Sequence, residues 1–315
     1  MTPRSEPPLV SGDFPALVFV NPTAGRGRTH TYLPGIRDLF QSLGFLAQFV
    51  ETGSASELES AARLAAEQDH RLLLAMGGDG TFQALANGVF GRDVIIGILP
   101  TGGGNDFAAA LGLLGDPLRS VGRVLKGRPR FVDLVRVRTA DGRTRLYAAG
   151  GGIGLDAETA LYASGVYQKL PGRFRYIASA LRALLTHLPL TVRLEIPHTD
   201  LVPVETKCLL TAVLNTPTYG GGVLLAPGAA PDDGWLHVIS IEDLSVLEVL
   251  KLLPRLMRSG ELRTSKVQRW KVKSVKISAD RPTLFHGDGE IVGPAPVELE
   301  IVPNAVSVLA PAKEA

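Results

Sequence analysis

The chain lacks the features that mark secreted and membrane-spanning proteins. It has one cysteine in 315 residues, so no internal disulfide can form. Cys208 lies in an apolar, strand-like run, where a small buried side chain is the expected role. The opening Met1–Pro8 segment has no apolar core of the signal-peptide type, and no run approaches the roughly 18 apolar residues that a membrane crossing needs. We therefore expect a globular cytoplasmic protein that is peripheral to a membrane at most.

The signature motifs of several enzyme classes are also missing. No Gly-Lys-Ser or Gly-Lys-Thr sequence occurs, which excludes a P-loop, and no Gly-x-Ser-x-Gly nucleophile elbow occurs. The six histidines show no metal-ligand spacing. A net charge of +2 gives no reason to expect nucleic acid as a partner, although nine Lys and Arg residues fall between Lys251 and Lys276.

What the chain does have is enough apolar sequence, 45%, to build sizeable cores in about two domains. Its first part alternates amphipathic stretches with strand-like runs at Ala16–Val20, Phe45–Val50, Leu72–Met76 and Val94–Leu99. This βαβα order predicts an open parallel sheet flanked by helices.

After about Arg136, short β-like runs dominate, which predicts a larger antiparallel domain of the β-sandwich type. The runs are Arg145–Ala149, Leu190–Ile196, Cys208–Leu214, Leu236–Ile241, Val272–Ile277 and Val297–Val302, with helices expected near Asp156–Ala163, Arg173–Thr186 and Leu244–Met257. The predicted architecture is thus an α/β nucleotide-binding domain over residues 12–136, to which 304–313 return, and a β-rich domain over 137–303.

Three of the first four strands end in loops of small residues, at Asn21–Gly25, Gly77–Thr81 and Pro100–Asp106. Ligands bind at the carboxyl ends of strands in such sheets, so the three loops predict one site. Glycines let a phosphate approach the backbone closely, and the N–H groups of the loop and of the following helix attract an anion. The sequence therefore favours a kinase.

Each loop also has a simpler interpretation. Asp79 would repel a bare phosphate, so it acts through a magnesium ion or by orienting donors, unless it is only an N-cap in a tight turn. The third loop suits a nucleotide, or it is a flexible turn capped by Asn105 or Asp106. Arg26 and Arg28 follow the first loop and would either meet phosphate or face solvent.

Three carboxylates outside these loops have two interpretations each. Asp133 lies in an apolar strand pattern and needs either a function or a partner such as Arg136. Asp233, in an Asp-Asp-Gly turn, suits a hard cation such as Mg²⁺ or a plain turn. Glu290 follows a Gly-Asp-Gly sequence and is either a general base that faces a cleft or part of an ordinary hairpin.

The segment Gly152–Ala157 matches the dinucleotide-binding fingerprint by letter. It lies past the parallel region, however, and lacks the acidic residue that the fingerprint needs about 20 positions later. We reject that interpretation and expect the glycines to let a backbone pass close by, with Asp156 beginning a helix.

In this order and at these spacings, the segments resemble the bacterial diacylglycerol kinase family of lipid kinases, which is related to sphingosine kinases and more distantly to NAD kinases. The resemblance covers nearly the whole chain. The aspartate loop is shared with NAD kinases, whereas Pro-Thr-Gly-Gly-Gly-Asn-Asp-Phe, Gly-Ile-Gly-Leu-Asp-Ala and the late Asp-Gly-Glu are specific to the lipid branch. The resemblance implies that the chain phosphorylates a lipid hydroxyl with ATP, converting diacylglycerol to phosphatidic acid.

The resemblance also implies roles for individual residues. Glu290 is the implied general base, and Asp79, Asp106 and Asp133 form the implied acidic network around the phosphates. Asp233 with the backbone carbonyls of Ala230 and Trp235 is the implied structural Mg²⁺ site. The implied ATP contacts are Asn21, Pro22, Thr23, Ala24, Gly25, Thr52, Gly78, Asp79, Gly80, Thr81, Phe82, Gln83, Ala84 and Thr101.

Two departures from the family pattern keep alternatives open. Gln83-Ala84 stands where the family usually has Asn-Glu, and Gly103 replaces a usual threonine. The alternatives are an NAD kinase-like or other small-molecule kinase, and a catalytically weak lipid- or nucleotide-binding protein. Acyl-chain and head-group preference, ATP against GTP, and monomer against homodimer also stay open.

The implied partners are a lipid substrate and an anionic membrane surface at the inner membrane face. We expect the apolar segment Leu244–Arg258 and the basic residues that follow it to contact that surface. The alternative is a helix stripe packed on its own core and a strand whose lysines face water.

Overall fold

The computed structural model describes residues 15–113, 115–166, 173–186, 188–197, 202–244, 248, 251 and 266–312. The backbone forms two compact units, one made of the residues up to Leu134 together with those from Pro303 onward, the other of Val135–Val302. The expected helix Leu244–Met257 lies almost wholly outside the described residues. None of the helices in the described part of the chain has both the length and the hydropathy that a membrane crossing requires.

The first unit alternates strands with helices. Its elements in chain order are β1 (Ala16–Val20), α1 (Arg28–Ser42), β2 (Ala47–Glu51), α2 (Ala55–Glu67), β3 (Leu72–Gly77), α3 (Asp79–Val89), β4 (Ile95–Pro100), α4 (Asp106–Ala110) and α5 (Pro117–Leu125). A short 3₁₀ turn at Ala24–Arg26 precedes α1.

The remaining elements are mostly strands. They are β5 (Arg128–Arg138), β6 (Thr144–Tyr147), β7 (Gly150–Gly154), α6 (Leu155–Ser164), α7 (Arg173–Thr186), β8 (Leu190–Glu195), β9 (Val204–Leu214), β10 (Thr218–Tyr219), β11 (Val223–Leu224), β12 (Leu236–Glu242), β13 (Val267–Val272), β14 (Ser274–Ala279), β15 (Leu284–Gly287), β16 (Glu290–Pro294) and β17 (Val297–Ala310). The boundary between the units falls within β5 and within β17.

The sheet of the first unit is parallel, as predicted. Strands β2, β1, β3 and β4 lie side by side in that order, and the end of β17 pairs with β4 in the same direction, Ser307 opposite Ile95. Every residue of β1, β3 and β4 is buried. Parallel strands covered on both faces need such continuous apolar sequence, which explains the unbroken Val, Leu and Ile runs.

Local sequence sets the helix starts around this sheet. Ser54 accepts a hydrogen bond from the Glu57 N–H at 3.1 Å, and the Glu57 carboxylate accepts the Gly53 N–H at 2.7 Å, so a Ser-x-x-Glu sequence begins α2. Asp116 accepts the Arg119 N–H at 3.0 Å and Pro117 occupies the first position of α5.

The second unit is built from antiparallel strands, which confirms the predicted β-sandwich-like domain. Strands β16, β15, β7, β9, β8 and β14 follow one another in the sheet, and β12 and β13 extend from β9. Alternate side chains fill two apolar clusters, one that includes Tyr147, Val213 and Phe285 and one that includes Leu214 and Ile239.

Two sequence expectations are corrected in this unit. The run Val272–Ile277 is two strands, because the chain leaves the ladder at Lys273, whose carbonyl accepts the Ile301 N–H at 2.9 Å. The glycines of Gly150–Gly154 let two backbones approach closely, as expected, but they do so as a regular strand, β7, between β15 and β9, which was not predicted. A Cβ added at Gly152 would lie 2.3 Å from Asp156 Oδ2, so only glycine fits there.

Candidate active site

The three small-residue loops of the first unit lie against one another. The Gly77 carbonyl, at the end of β3, accepts the N–H groups of Thr101 and Gly102 at 2.9 and 3.0 Å. The Asn21 Nδ2 atom, at the end of β1, donates to Thr81 Oγ1 at 3.1 Å. These bonds connect the first loop to the start of α3 and the second loop to the third.

The second and third loops approach at backbone distance. A Cβ added at Gly102 would lie 2.7 Å from Gly78 Cα and 2.9 Å from Asn105 Oδ1. Next to it, a Cβ at Gly103 would meet nothing within 4 Å, and Gly103 and Gly104 are exposed. The loop pair therefore has a closely packed base and an open outer edge, where a bound phosphate could reach backbone N–H groups.

Asp79 occupies a different place from the one expected. It is only 8% exposed, and its carboxylate accepts the backbone N–H groups of Asp106 at 2.7 Å and of Phe107 at 3.3 Å. It is the first residue of α3, but it caps the N-terminus of α4. The free N–H groups and positive end of a helix make this a favourable place for a carboxylate. This contact fits both the capping role and the orientation of donors, and a catalytic role for Asp79 stays a prediction.

Four more of the predicted site residues of this unit are buried. Thr52, Thr101 and Asp106 are buried, and Asp133 is buried with Oδ1 accepting the Asn304 N–H at 2.8 Å. Arg136, the partner expected for Asp133, forms an ion pair with Glu300 in the second unit.

The segment that follows the aspartate loop forms part of the core. Phe82, Gln83 and Ala84 are buried, and the Phe82 ring stacks on Phe107 with the centroids 4.4 Å apart. The side chains of these three predicted ATP contacts therefore lie in the core and not at the exposed surface of the loops. The exposed loop positions are Thr23, Gly103 and Gly104.

Glu290 and Asp288 share the β15–β16 turn of the second unit but sit in different surroundings. The Asp288 carboxylate accepts three backbone N–H groups, from Ala148 at 2.8 Å, Ala149 at 2.9 Å and Gly150 at 3.1 Å. Burial raises the pKa of Asp288 to about 6, against the lowering effect of these three hydrogen bonds. Asp288 thereby fixes the turn to the segment that begins β7.

Glu290 is the first residue of β16 and pairs with Gly287 across the hairpin. The residue keeps contact with solvent, while desolvation by the surrounding protein raises its pKa above the ordinary glutamate value. An accessible carboxylate with a raised pKa is a stronger base than a solvated one, which is the property that a general base requires.

A buried polar cluster beside this hairpin was not predicted as a site. Asp156 lies in the first turn of α6, one residue after the helix begins, but its carboxylate also accepts the Tyr219 hydroxyl, and His286 lies next to both. Two sequence signals were available: Tyr219 precedes three glycines, and His286 precedes the Gly-Asp-Gly-Glu sequence. Cys208 is fully buried on β9 and burial raises the pKa of its thiol, consistent with a core role.

The Asp233 turn was tested as a magnesium site on its donor atoms. Asp233 Oδ1 accepts the Trp235 N–H at 2.9 Å, while Oδ2 faces His237 Nε2 at 2.8 Å and Lys271 Nζ at 3.5 Å. The Ala230 carbonyl accepts the Asp233 N–H, and the Lys273 ammonium donates to the Gly234 carbonyl. The described residues contain no cluster of three or more His, Cys, Asp or Glu that could hold a metal ion, but the predicted site uses one carboxylate and two backbone carbonyls. Lys271 and His237 compete with a divalent cation for the Asp233 carboxylate, and a Mg²⁺ site at this turn stays a prediction.

Comparison with known proteins decides the family. Residues 15–137 match the family profile described as the diacylglycerol kinase catalytic domain, and residues 151–310 match the YegS C-terminal NAD kinase beta sandwich-like domain. The chain belongs to the diacylglycerol kinase and YegS-like family of lipid kinases. The family resemblance noted in the sequence is thereby confirmed, and so is the two-part fold.

Relatives in this family match along most of the chain. A "Diacylglycerol kinase" of Mycobacterium tuberculosis is 27% identical over 92% of this chain and 93% of its own length. A protein of Stenotrophomonas maltophilia named "Probable lipid kinase YegS-like" is 30% identical over 76% of this chain and 79% of its own length. The crystal structure of a diacylglycerol kinase from Bacillus anthracis has the same fold, with a TM-score of 0.69 over 94% of this chain and 96% of that one at 20% identity.

Proposed function

We propose that this lipid kinase transfers the γ-phosphoryl group of ATP to the hydroxyl of diacylglycerol, giving phosphatidic acid and ADP. The observation that carries the proposal is the place of Glu290, an accessible carboxylate at the start of β16, on a turn that Asp288 fixes with three hydrogen bonds. The acceptor named for the relatives supports diacylglycerol as the substrate.

In the proposed reaction Glu290 takes the proton of the lipid hydroxyl as its oxygen bonds to the γ-phosphorus. The bond between that phosphorus and the β–γ bridging oxygen breaks, and ADP leaves. Phosphoryl transfer depends mainly on positioning and on electrostatic stabilisation of the transferred group. We assign those tasks to the glycine loops that follow β3 and β4.

Asp79 acts in this proposal through the backbone. Its carboxylate holds the first N–H groups of α4, so it sets the position of the loop before that helix. The buried Asn105 Oδ1 has no hydrogen-bond partner within the described residues, which leaves an acceptor in that loop for a ligand donor. We propose that Mg²⁺ accompanies the phosphates of ATP and helps to neutralise their charge.

Radiolabelled phosphate transfer tests the substrate. Purified protein is incubated with γ-labelled ATP and a total lipid extract, and in a parallel reaction with NAD. We expect label in phosphatidic acid and none in NADP. Label in NADP alone would favour the NAD kinase-like alternative, and no label in either would favour a binding protein.

We also propose that the protein meets its lipid at an anionic membrane surface. The segment Leu244–Arg258, which the sequence suggested for this contact, lies almost wholly outside the described residues, so the proposal uses residues that the structure describes. Three lysines of the basic region, Lys251–Lys276, are paired within the protein: Lys266 with Glu248, Lys271 with Asp233 and Lys276 with Glu298. These pairs reduce the charge that the region offers to a membrane.

We propose a contact formed by α6, α7 and Leu188, which follows α7. Leu161 on α6, Leu185 on α7 and Leu188 are 49%, 64% and 66% exposed, and Arg182 of α7 lies over the Tyr162 ring of α6. Exposed leucines beside a cation suit the interface of an anionic bilayer.

Vesicle co-sedimentation tests this contact. We expect Leu185→Ser/Leu188→Ser protein to bind vesicles of anionic lipid more weakly than wild type. Leu46→Ser is the matched control, because Leu46 is 66% exposed in the first unit. Equal binding by all three proteins would remove the α6–α7 contact from the proposal.

A further inference from the structure

The second unit contains a hydrogen-bonded group of three side chains from three separate elements. The Tyr219 hydroxyl, on β10, lies 2.5 Å from Asp156 Oδ2 and 2.7 Å from His286 Nε2. Asp156 Oδ2 and His286 Nε2 are themselves 3.3 Å apart, and their side chains are 9% and 7% exposed. Burial of this many polar groups is costly unless each is hydrogen-bonded.

One arrangement of protons satisfies both contacts of the Tyr219 hydroxyl. The Tyr219 hydroxyl donates to the Asp156 carboxylate, and its oxygen accepts the proton on His286 Nε2. The other imidazole nitrogen, Nδ1, is buried and has no hydrogen-bond partner in the part of the chain that the structure describes. All of the directional contacts of the ring therefore run through Tyr219 and Asp156.

The strand β7 is shaped to admit this group. A Cβ at Gly152 would lie 2.3 Å from Asp156 Oδ2, and a Cβ at Gly150 would lie 2.9 Å from the Tyr219 ring. The same strand supplies the Gly150 N–H to Asp288, and its Gly152 pairs with His286. Larger residues on β7 would therefore displace the group and the hairpin together.

His286 is also the point where the group meets the hairpin. It lies opposite Ile291 in the β15–β16 ladder, next to the pair that Gly287 makes with Glu290. Asp288 fixes the tip of that turn, but a bulge between Phe285 and His286 leaves its base irregular. A fixed imidazole at this position holds the base of the turn.

We propose that Asp156, Tyr219 and His286 are positioning residues that hold the Glu290 carboxylate where it can take the proton of the lipid hydroxyl. The proposal rests on the function proposed above and adds three residues to it. They act through the hairpin and need not contact substrate.

Tyr219→Phe is the main test, because it removes the hydroxyl and keeps the ring. Tyr147→Phe is the matched control: that ring also packs against the hairpin at Gly287, and its buried hydroxyl donates to the Val213 carbonyl at 3.0 Å. We expect Tyr219→Phe to lower kcat by about tenfold to a hundredfold with the KM values for ATP and lipid unchanged, because misplacing a reacting group costs rate. Tyr147→Phe should keep kcat within about twofold on the same reasoning.

Unchanged kcat in Tyr219→Phe would overturn the proposal, and so would an equal loss in both variants. Asp156→Asn, which keeps an oxygen acceptor for the Tyr219 hydroxyl, should retain far more activity than Asp156→Ala. Equal inactivity of these two would mean that the carboxylate charge itself is needed, which also overturns the positioning role.

Amide hydrogen exchange of residues 286–291 separates this proposal from the proposed function. If wild type phosphorylates no lipid, the proposed function fails, and the exchange result decides the positioning role. Faster exchange in Tyr219→Phe than in wild type and in Tyr147→Phe would support it. Equal exchange in all three proteins would overturn it.

Discussion

At the scale of single residues, the structure distinguishes three carboxylates, Asp79, Asp288 and Glu290, that look alike in the sequence. Asp79 and Asp288 bind backbone N–H groups, whereas Glu290 keeps contact with solvent. All three residues stand in glycine-rich turns, and such a turn has a similar sequence whether its carboxylate is an N-cap, a turn residue or a general base. Asp79 binds Asp106, 27 positions away, and Asp288 binds Ala148, 140 positions away, so local sequence could not identify these partners.

Because Asp79 is buried and caps α4, Asp79→Ala should lower both stability and turnover. Loss of a cap costs about 1 to 2 kcal/mol of unfolding free energy, and the loop before α4 would lose its anchor. Asp116→Ala is the control for loss of a cap as such, since the exposed Asp116 caps α5 with one hydrogen bond. Urea unfolding and initial rates should show a loss of stability in both variants, larger in Asp79→Ala, and a loss of turnover in Asp79→Ala alone. A similar loss of turnover in both would contradict the assignment.

Asp288 should make stability depend on pH. Its folded pKa of about 6 exceeds the usual value of 3.8, so its contribution to stability is fully present below the lower value and is lost as the pH rises through the higher one. The melting temperature of wild type minus that of Asp288→Asn should therefore be larger at pH 5 than at pH 7. A difference that does not change with pH would show that the pKa is not raised.

At the scale of elements, the fully buried strands were the easiest to predict. Continuous apolar runs such as Leu72–Met76 agree with β3 to within a residue. The strand β7 was not predicted because its Gly-Gly-Gly-Ile-Gly sequence carries no apolar alternation. Its glycines serve close packing, which depends on Asp156, Tyr219 and the β15 backbone.

The packing of the loops after β3 and β4 gives a paired test. Gly102→Ala should force the two loops apart, because its Cβ would lie 2.7 Å from Gly78 Cα, and we expect the KM for ATP to rise by about tenfold or more. Gly103→Ala adds the same methyl group where nothing lies within 4 Å. It should raise the KM for ATP less than Gly102→Ala does, because it leaves the contact between the two loops in place. Equal KM values for the two variants would mean that the loop contact does not shape the ATP site.

The turn around Asp233 should be stable without a divalent cation, because its carboxylate already contacts Lys271 and His237. Thermal unfolding of wild type should give the same melting temperature in Mg²⁺ and in EDTA. A melting temperature that Mg²⁺ raises in wild type but not in Asp233→Ala would show that this turn binds the ion.

At the scale of the whole molecule, the order of motifs was enough to predict a parallel α/β unit, an antiparallel unit and the family. The polar group of Asp156, Tyr219 and His286 was not predictable, because it joins residues 63 and 67 positions apart that share no motif. Likewise, the pairing of Lys271 with Asp233 changed the interpretation of the basic region, and only the strand register of β12 and β13 shows it.

The most direct measurement of the central claim is the rate of phosphatidic acid formation from ATP and a short-chain diacylglycerol in mixed micelles, by wild type and Glu290→Gln. The account predicts turnover by wild type and a loss of about a hundredfold to ten-thousandfold in the variant, since general-base catalysis contributes that much. ATP binding should be retained in the variant. Near-normal turnover in folded Glu290→Gln protein, or none in wild type, would contradict the account.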